Sequence, residues 1–250
     1  MRLRRTPKLG QHFLTSPAIV KAVADAGHLE PGETVVEVGP GKGILTRELL
    51  KAGARVYAIE KDSVLVATLN ETFKKEIADG SLTLIEGDAR VARINLATSY
   101  KVVANIPYYI TGELMRMFLT TEHQPTTIVF LIQKEVAERI VKSKKESLLS
   151  LSVKVYGTPR YVKTVKAGSF SPPPSVDSAI LAIDNISRKN FEHASEEKFF
   201  VLLHAGFGQK RKTLVGNLKK AGLYREGMPL DPKVRAEDVS LETWPALAKD

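Results

Sequence analysis

The chain has 250 residues, 43% of them hydrophobic, a formal net charge of +9 and no cysteine. That length suits one α/β domain with a small appendage. The absence of cysteine excludes disulfides, thiolate zinc sites, iron–sulfur clusters and cysteine nucleophiles, and the positive charge points toward a polyanionic partner. No apolar run approaches the roughly twenty residues that a bilayer-spanning helix needs, and the basic start of the sequence has no hydrophobic signal core. The expectation is a soluble cytoplasmic protein. The five histidines (His12, His28, His123, His193 and His204) show no metal-ligand spacing, so no metal is expected.

From residue 34 onward, short β-branched runs alternate with helical stretches. Strands are predicted over 34–38, 55–59, 82–86, 101–104 and 127–133, with intervals long enough for helical crossovers. The sheet is therefore expected to be largely parallel and doubly wound. Two further strands, 160–165 and 178–184, flank a loop containing Pro172, Pro173 and Pro174 and are close enough to pair antiparallel. Residues 196–222 carry helical periodicity, and the tail through Trp244 reads as short helices. The expected architecture is α/β: a Rossmann-like, doubly wound, seven-stranded domain over 1–185 and a small all-α C-terminal domain over 186–250.

Ligands of doubly wound sheets bind outside the carboxyl ends of the strands. The first strand runs into Glu37-Val38-Gly39-Pro40-Gly41-Lys42-Gly43, where glycines let the backbone turn sharply and approach a ligand. The second ends at Glu60, placed to bind both hydroxyls of a ribose. The third ends at Gly87-Asp88, whose carboxylate suits an adenine amine, and the fourth at Asn105. A glycine loop followed by an acid also fits a dinucleotide. The Gly-x-Gly-x-Gly spacing, preceded by an acid, suits an adenosyl ligand without a pyrophosphate, and S-adenosylmethionine is the expected cofactor over a nicotinamide.

The most specific motif is Asn105-Ile106-Pro107-Tyr108. An adenine amine is a poor nucleophile because its lone pair is delocalised into the ring. Attack on a sulfonium methyl draws that pair out of conjugation and leaves positive charge on nitrogen. The Asn105 side-chain oxygen and the Ile106 carbonyl are suited to accept both amine hydrogens, which stabilises the developing charge. Pro107 fixes the loop and adds no competing amide donor. The Tyr108 ring can stack on the base. No strong general base is needed, so the remaining work is alignment.

These residues resemble the rRNA adenine dimethyltransferases, which include small-subunit enzymes and the large-subunit enzymes of macrolide resistance. Lys8-Leu9-Gly10-Gln11-His12-Phe13-Leu14 is similar to the family's opening motif, with His12 in place of its usual asparagine. Glu37, Gly39, Gly41, Gly43, Glu60, Asp88 and Asn105 fall on its cofactor positions, and the resemblance adds Gln11, His12 and Leu14. The loop Phe170-Ser171-Pro172-Pro173-Pro174-Ser175-Val176-Asp177-Ser178 resembles the one whose aromatic sandwiches the target base, which assigns Phe170 opposite Tyr108. The residue after the catalytic tyrosine, often Asn or His in the family, is Tyr109 here.

The proline loop and the stretch 207–214 resemble the small-subunit group. The resemblance then implies dimethylation of two adjacent adenines in a hairpin loop near the 3′ end of small-subunit rRNA, by a monomer acting in ribosome biogenesis. RNA contacts are expected from Arg2, Arg4, Arg5 and Lys8 and from Lys210, Arg211 and Lys212. The cluster of Lys142, Lys144 and Lys145 is a further RNA candidate or a solvated face. The alternatives are a large-subunit enzyme of the macrolide-resistance type, a mainly non-catalytic ribosome-assembly factor and, more distantly, a nicotinamide oxidoreductase.

Overall fold

The computed structural model describes residues 12–92, 96 and 98–249. Seven strands form the central sheet: β2 (Thr34–Val38), β3 (Arg55–Glu60), β4 (Leu82–Glu86), β5 (Tyr100–Asn105), β6 (Thr127–Gln133), β7 (Thr158–Val165) and β9 (Ser178–Asp184). Their spatial order is β4-β3-β2-β5-β6-β9-β7. The first five pair in parallel, and β9 pairs antiparallel with both β6 and β7. The chain winds outward from β2 through β3 to β4, then returns to lay β5 on the other side of β2. That reversal opens a crevice at the carboxyl ends of β2 and β5, where doubly wound sheets bind ligands.

The strand sequences explain the layering. In β6, Val129 and Leu131 enter one buried cluster while Ile128, Phe130 and Ile132 enter the other. A run apolar at every position is what a strand covered on both faces requires. One face is covered by α1 (Pro17–Asp25), α2 (Ile44–Lys51) and α3 (Ser63–Thr72), through Val23, Leu45, Leu49 and Leu69. A short α4 (Lys74–Ala78) follows α3. The other face is covered by α5 (Thr111–Thr120), α6 (Lys134–Val141) and α7 (Leu148–Lys154).

All seven predicted strands are present, within two residues at each end. The helical crossover expected between the third and fourth strands is not observed: among the described residues between Glu86 and Tyr100 there is only a turn, in which Val91 and Ala92 donate to the Asp88 carbonyl. The predicted helical stretch 196–222 is two helices, α8 (Glu196–Gly206) and α9 (Leu214–Lys220), separated by a turn. Side-chain caps mark both starts, with Ser195 accepting from the Lys198 amide and Thr213 from the Gly216 amide. A last helix, α10 (Thr243–Leu247), buries Trp244.

The sequence reading did not anticipate a second, two-stranded sheet. In it β1 (Phe13–Leu14) pairs antiparallel with β8 (Phe170–Ser171). Among the described residues no helix is long and apolar enough to cross a membrane.

Gly43 shows how tightly the first crossover is packed. It caps α2 in the left-handed region at φ 75°, and an added Cβ would lie 2.4 Å from a Phe73 ring carbon. Both the backbone conformation and the space demand glycine. Gly43→Ala is expected to lower stability by about 1–3 kcal/mol, read as a reduced denaturation midpoint at unchanged m-value.

Candidate active site

At the end of β2 the chain turns through Gly39 and Gly41, both left-handed, before Gly43 starts α2. The loop is tied to the neighbouring strand by two hydrogen bonds: the Gly39 amide donates to the Ile59 carbonyl at 2.9 Å, and the Gly41 amide to Glu60 Oε2 at 3.1 Å. Glu60 Oε1 accepts from the Asp62 amide at 2.9 Å. A carboxylate has about four acceptor sites, so each Glu60 oxygen keeps one for a ligand. Two vicinal hydroxyls fit that donor demand. Asp62 then caps α3, its Oδ1 accepting from the Val64 amide.

Two further carboxyls border the same space in different electrostatic states. Glu37 is 1% exposed, and its Oε2 accepts from Thr46 Oγ1 at 2.7 Å. Burial, with the Glu60 charge adding to it, pushes its carboxyl up to about 8. Glu37 therefore largely keeps its proton at neutral pH. Asp88 is the reverse: hydrogen bonds from Arg90, then Lys61, hold its carboxyl well below the ordinary carboxylate range. Its oxygens accept from the Arg90 amide, Nε and guanidinium end and from Lys61 Nζ, at 2.6–3.1 Å. The acceptor expected to be open for an adenine amine is thus fully occupied, and Lys61 or Arg90 must yield an oxygen to a ligand.

At the end of β5, Asn105 Nδ2 donates to the His12 carbonyl at 3.2 Å. This bond settles which end of the amide is engaged and leaves the Oδ1 end as the acceptor. Ile106 is buried, Pro107 sits at φ −59°, and a single 3-10 turn over Tyr108–Ile110 follows. The Tyr108 hydroxyl lies 2.6 Å from Ser178 Oγ, and its ring lies 6.0 Å from the His12 ring at an interplanar angle of 29°. Burial raises the Tyr108 phenol above its ordinary value. His12 in turn is held by its Nδ1, 2.8 Å from the Pro172 carbonyl.

These elements enclose a cavity of about 410 Å3, within the usual range for small-ligand sites. With the exception of Gly43, every predicted cofactor or catalytic residue that the structure describes borders it, including His12, Leu14 and Phe170. Gly43 is set back as the helix cap. Phe170 reaches the cavity from within the core, only 4% exposed to solvent. Gln11, Arg2, Arg4, Arg5 and Lys8 lie outside the described residues.

Residues 2–248 match the family model described as ribosomal RNA adenine dimethylase. The chain belongs to that family. A relative in Dehalococcoides mccartyi named ribosomal RNA small subunit methyltransferase A is 41% identical, over 98% of this chain and 88% of the relative. One of the same name in Clostridium botulinum is 34% identical, over 96% and 91%. Among solved structures, a dimethyladenosine transferase from Plasmodium falciparum superposes with a TM-score of 0.78 at 25% identity, covering 94% of this chain and 96% of that one. A 23S rRNA methyltransferase, ErmE, shares the fold with a TM-score of 0.76 at 24% identity, covering 94% and 97%.

For this adenine dimethylase family member, sequence reasoning missed three residues. Lys61 and Arg90 occupy Asp88, and their signal was a basic residue directly after one site acid and two after another. Ser178, which fixes the Tyr108 hydroxyl, stood unremarked as the last residue of the proline-loop motif. The predicted cations Lys210, Arg211 and Lys212 are exposed on the turn between α8 and α9, away from the cavity rather than on a helix face. Of the other lysine cluster, Lys145 pairs with Glu237 and Asp238, and Lys142 sits 3.5 Å from the Tyr161 ring centroid. Among the described residues no group of three or more His, Asp or Glu side chains is arranged to hold a metal.

Glu37 gives a pH signature. Its folded value of about 8 exceeds the ordinary 4.5, so between those limits the native state holds a proton that the unfolded state has lost. Stability must fall as pH rises through that window, by no more than about 1.4 kcal/mol per pH unit from this group. Glu37→Gln, isosteric with the neutral acid, is expected to remove that contribution. Unfolding free energies of both proteins from pH 5 to 9 give the difference; parallel curves would assign the slope elsewhere.

Proposed function

We propose that this chain is an S-adenosylmethionine-dependent methyltransferase that dimethylates the N6 amine of adenines in small-subunit ribosomal RNA. The finer target follows the family resemblance: two adjacent adenines in a hairpin loop near the 3′ end. The names of the relatives favour the small-subunit substrate over the large-subunit alternative.

The residues fit the cofactor. Glu60 retains two acceptor positions for the ribose hydroxyls, while Gly39 and Gly41 present backbone without Cβ atoms. Glu60 and Asp62 border the cavity beside the glycine loop, and their carboxylates disfavour a pyrophosphate there. Asp88 is the partner for the adenine amine once Lys61 swings away. His12 and Leu14 close the site from the β1 side, Gln11 precedes them in the same motif, and Gly43 acts indirectly by fixing the loop. When bound, S-adenosylmethionine supplies an electrophilic methyl on a sulfonium.

The observation that carries the reading is the Asn105–His12 hydrogen bond. With its amino end engaged, the Asn105 amide presents Oδ1 to accept a hydrogen from the target amine, and the Ile106 carbonyl takes the other. Both acceptors favour a tetrahedral nitrogen and stabilise the charge that grows as its lone pair is committed. Pro107 holds the carbonyls in place. Tyr108, pinned through its hydroxyl to Ser178, offers its ring to one face of the base, with Phe170 on the opposite side. The proton released from the nitrogen passes to water.

RNA affinity is assigned to phosphate contacts from Lys210, Arg211 and Lys212, and from Arg2, Arg4, Arg5 and Lys8. Residues 1–185 form the catalytic part in this reading, and 186–250 carry RNA or ribosome contacts. The protein works as a monomer in the cytoplasm, without a metal.

Asn105→Ala is expected to lower the single-turnover rate of methylation by about 10²- to 10³-fold, the usual cost of one lost transition-state contact. A near-normal rate on undermethylated small subunits would remove Asn105 from that role. Neutralising Lys210, Arg211 and Lys212 together should leave cofactor affinity unchanged and flatten the dependence of log affinity for RNA on log salt by about two to three units. An unchanged slope in a folded triple variant would mean the turn is merely solvated.

A further inference from the structure

The two most exposed large hydrophobic residues among those described are Val91, 77% exposed, and Tyr109, 76% exposed. Both belong to loops at the rim of the same cavity. Val91 follows Arg90 on the turn after β4, and Tyr109 follows Tyr108 on the turn after β5. A 3.5 Å contact between Arg90 and Glu113, in the first turn of α5, joins the two loops. Covering an exposed aromatic ring beside a binding cavity removes apolar surface from water and is favourable. Among the described residues, none makes a hydrogen bond or ring contact with the Tyr109 side chain.

The local backbone explains the direction. Tyr108 is drawn inward by its 2.6 Å contact with Ser178. In a 3-10 turn the next side chain is rotated by about 120°, which turns Tyr109 outward while its Cα stays about 3.8 Å from that of Tyr108. Two aromatic rings thus leave adjacent positions, one into the cavity and one onto its lip. A base turned out of its stack stays joined to its neighbour through the sugar-phosphate backbone. When one base enters the cavity to meet Tyr108, its neighbour in the strand remains at the lip.

We propose that Tyr109 is a stacking platform for the nucleotide adjacent to the target adenine. The inference rests on the reading of Tyr108 as the target-base contact and adds a second base site beside it. Every base has a π-face, so this platform tolerates sequence and acts on position: it holds the strand while the target base is turned out. It acts through substrate binding rather than the chemical step.

The test uses the full chain with undermethylated small ribosomal subunits. Tyr109→Ala is expected to raise KM for the subunit about tenfold, with little change in kcat and none in S-adenosylmethionine affinity; Tyr109→Phe should stay near wild type, because stacking needs the ring and not the hydroxyl. An unchanged KM in Tyr109→Ala, or Tyr109→Phe as impaired as Tyr109→Ala, would overturn the platform. Replacing Tyr109 by photoreactive p-benzoylphenylalanine identifies the occupant directly. A crosslink to the nucleotide next to the methylated adenine supports the inference, and one to a ribosomal protein or a distant nucleotide refutes it. Failure of the wild-type chain to methylate either ribosomal subunit would instead strike the proposed function.

Discussion

The hydrogen bond from Asn105 Nδ2 to the His12 carbonyl is the contact on which the site's architecture turns. An amide side chain at the end of a strand has two chemically opposite ends, and only the oxygen can accept from an amine. Fixing Nδ2 on a backbone carbonyl decides the matter, provided that carbonyl is itself held. It is held from several sides. Phe13 and Leu14 pair with Ser171 and Phe170, Thr15 donates its amide to the Ser169 carbonyl at 2.8 Å, and the His12 ring meets the Pro172 carbonyl. The β1 strap, the proline loop and the turn after β5 are therefore one hydrogen-bonded unit.

The carboxyls around the cavity show how position sets charge. Glu37 and Glu60 sit at the carboxyl ends of adjacent parallel strands and are both almost fully buried. Burial disfavours a charge on Glu37, the neighbouring Glu60 charge adds to that, and the hydrogen bonds from Thr46 do not offset it, so Glu37 is driven toward its neutral form. Asp88, at the lip, is exposed enough to gather Lys61 and Arg90. From the glycine loop outward the cavity thus grades from a neutral acid through a backbone-bound carboxylate to an ion pair. A ligand with vicinal hydroxyls meets open acceptor positions at Glu60, in the middle of that line.

Much of this was legible in the sequence because it is periodic or local. Uninterrupted apolar runs such as Ile128 to Ile132 marked strands buried on both faces, and Glu37, Glu60, Asp88 and Asn105 lie at or just beyond the carboxyl ends of strands by the geometry of the fold. What was not legible depends on pairing between distant segments. Nothing near Phe13 predicts a partner more than 150 residues away, so β1, β8 and the role of the His12 carbonyl were invisible. The same holds for Ser178, whose importance comes from a tyrosine 70 residues earlier. The turn at 207–213 is masked by apolar residues on both sides that keep helical spacing, although Gly208 just past the end of α8 and Thr213 as the cap of α9 are local signs of the break.

The C-terminal segment bears on the site through α5. Arg188 donates to the carbonyls of Thr120, Thr121 and Glu122, at and just beyond the carboxyl end of α5, and its Nε pairs with Glu196 at the start of α8. A cation at that end satisfies carbonyls that have no helical partner and opposes the helix dipole. Phe199, Leu203, Leu214 and Trp244 also belong to the same buried cluster as Leu114, Met115 and Phe118 of α5. Trp244 reaches this position against Gly206, where an added Cβ would lie 2.6 Å from the indole, even though its Nε1 finds no partner among the described residues. Burying an indole with its N–H unpaired is unfavourable, so the apolar contact must outweigh that loss. Because α5 begins directly after the turn that carries Tyr108 and Tyr109, clamping its far end from the C-terminal segment restrains the rotation of the helix and of the turn from which both rings project.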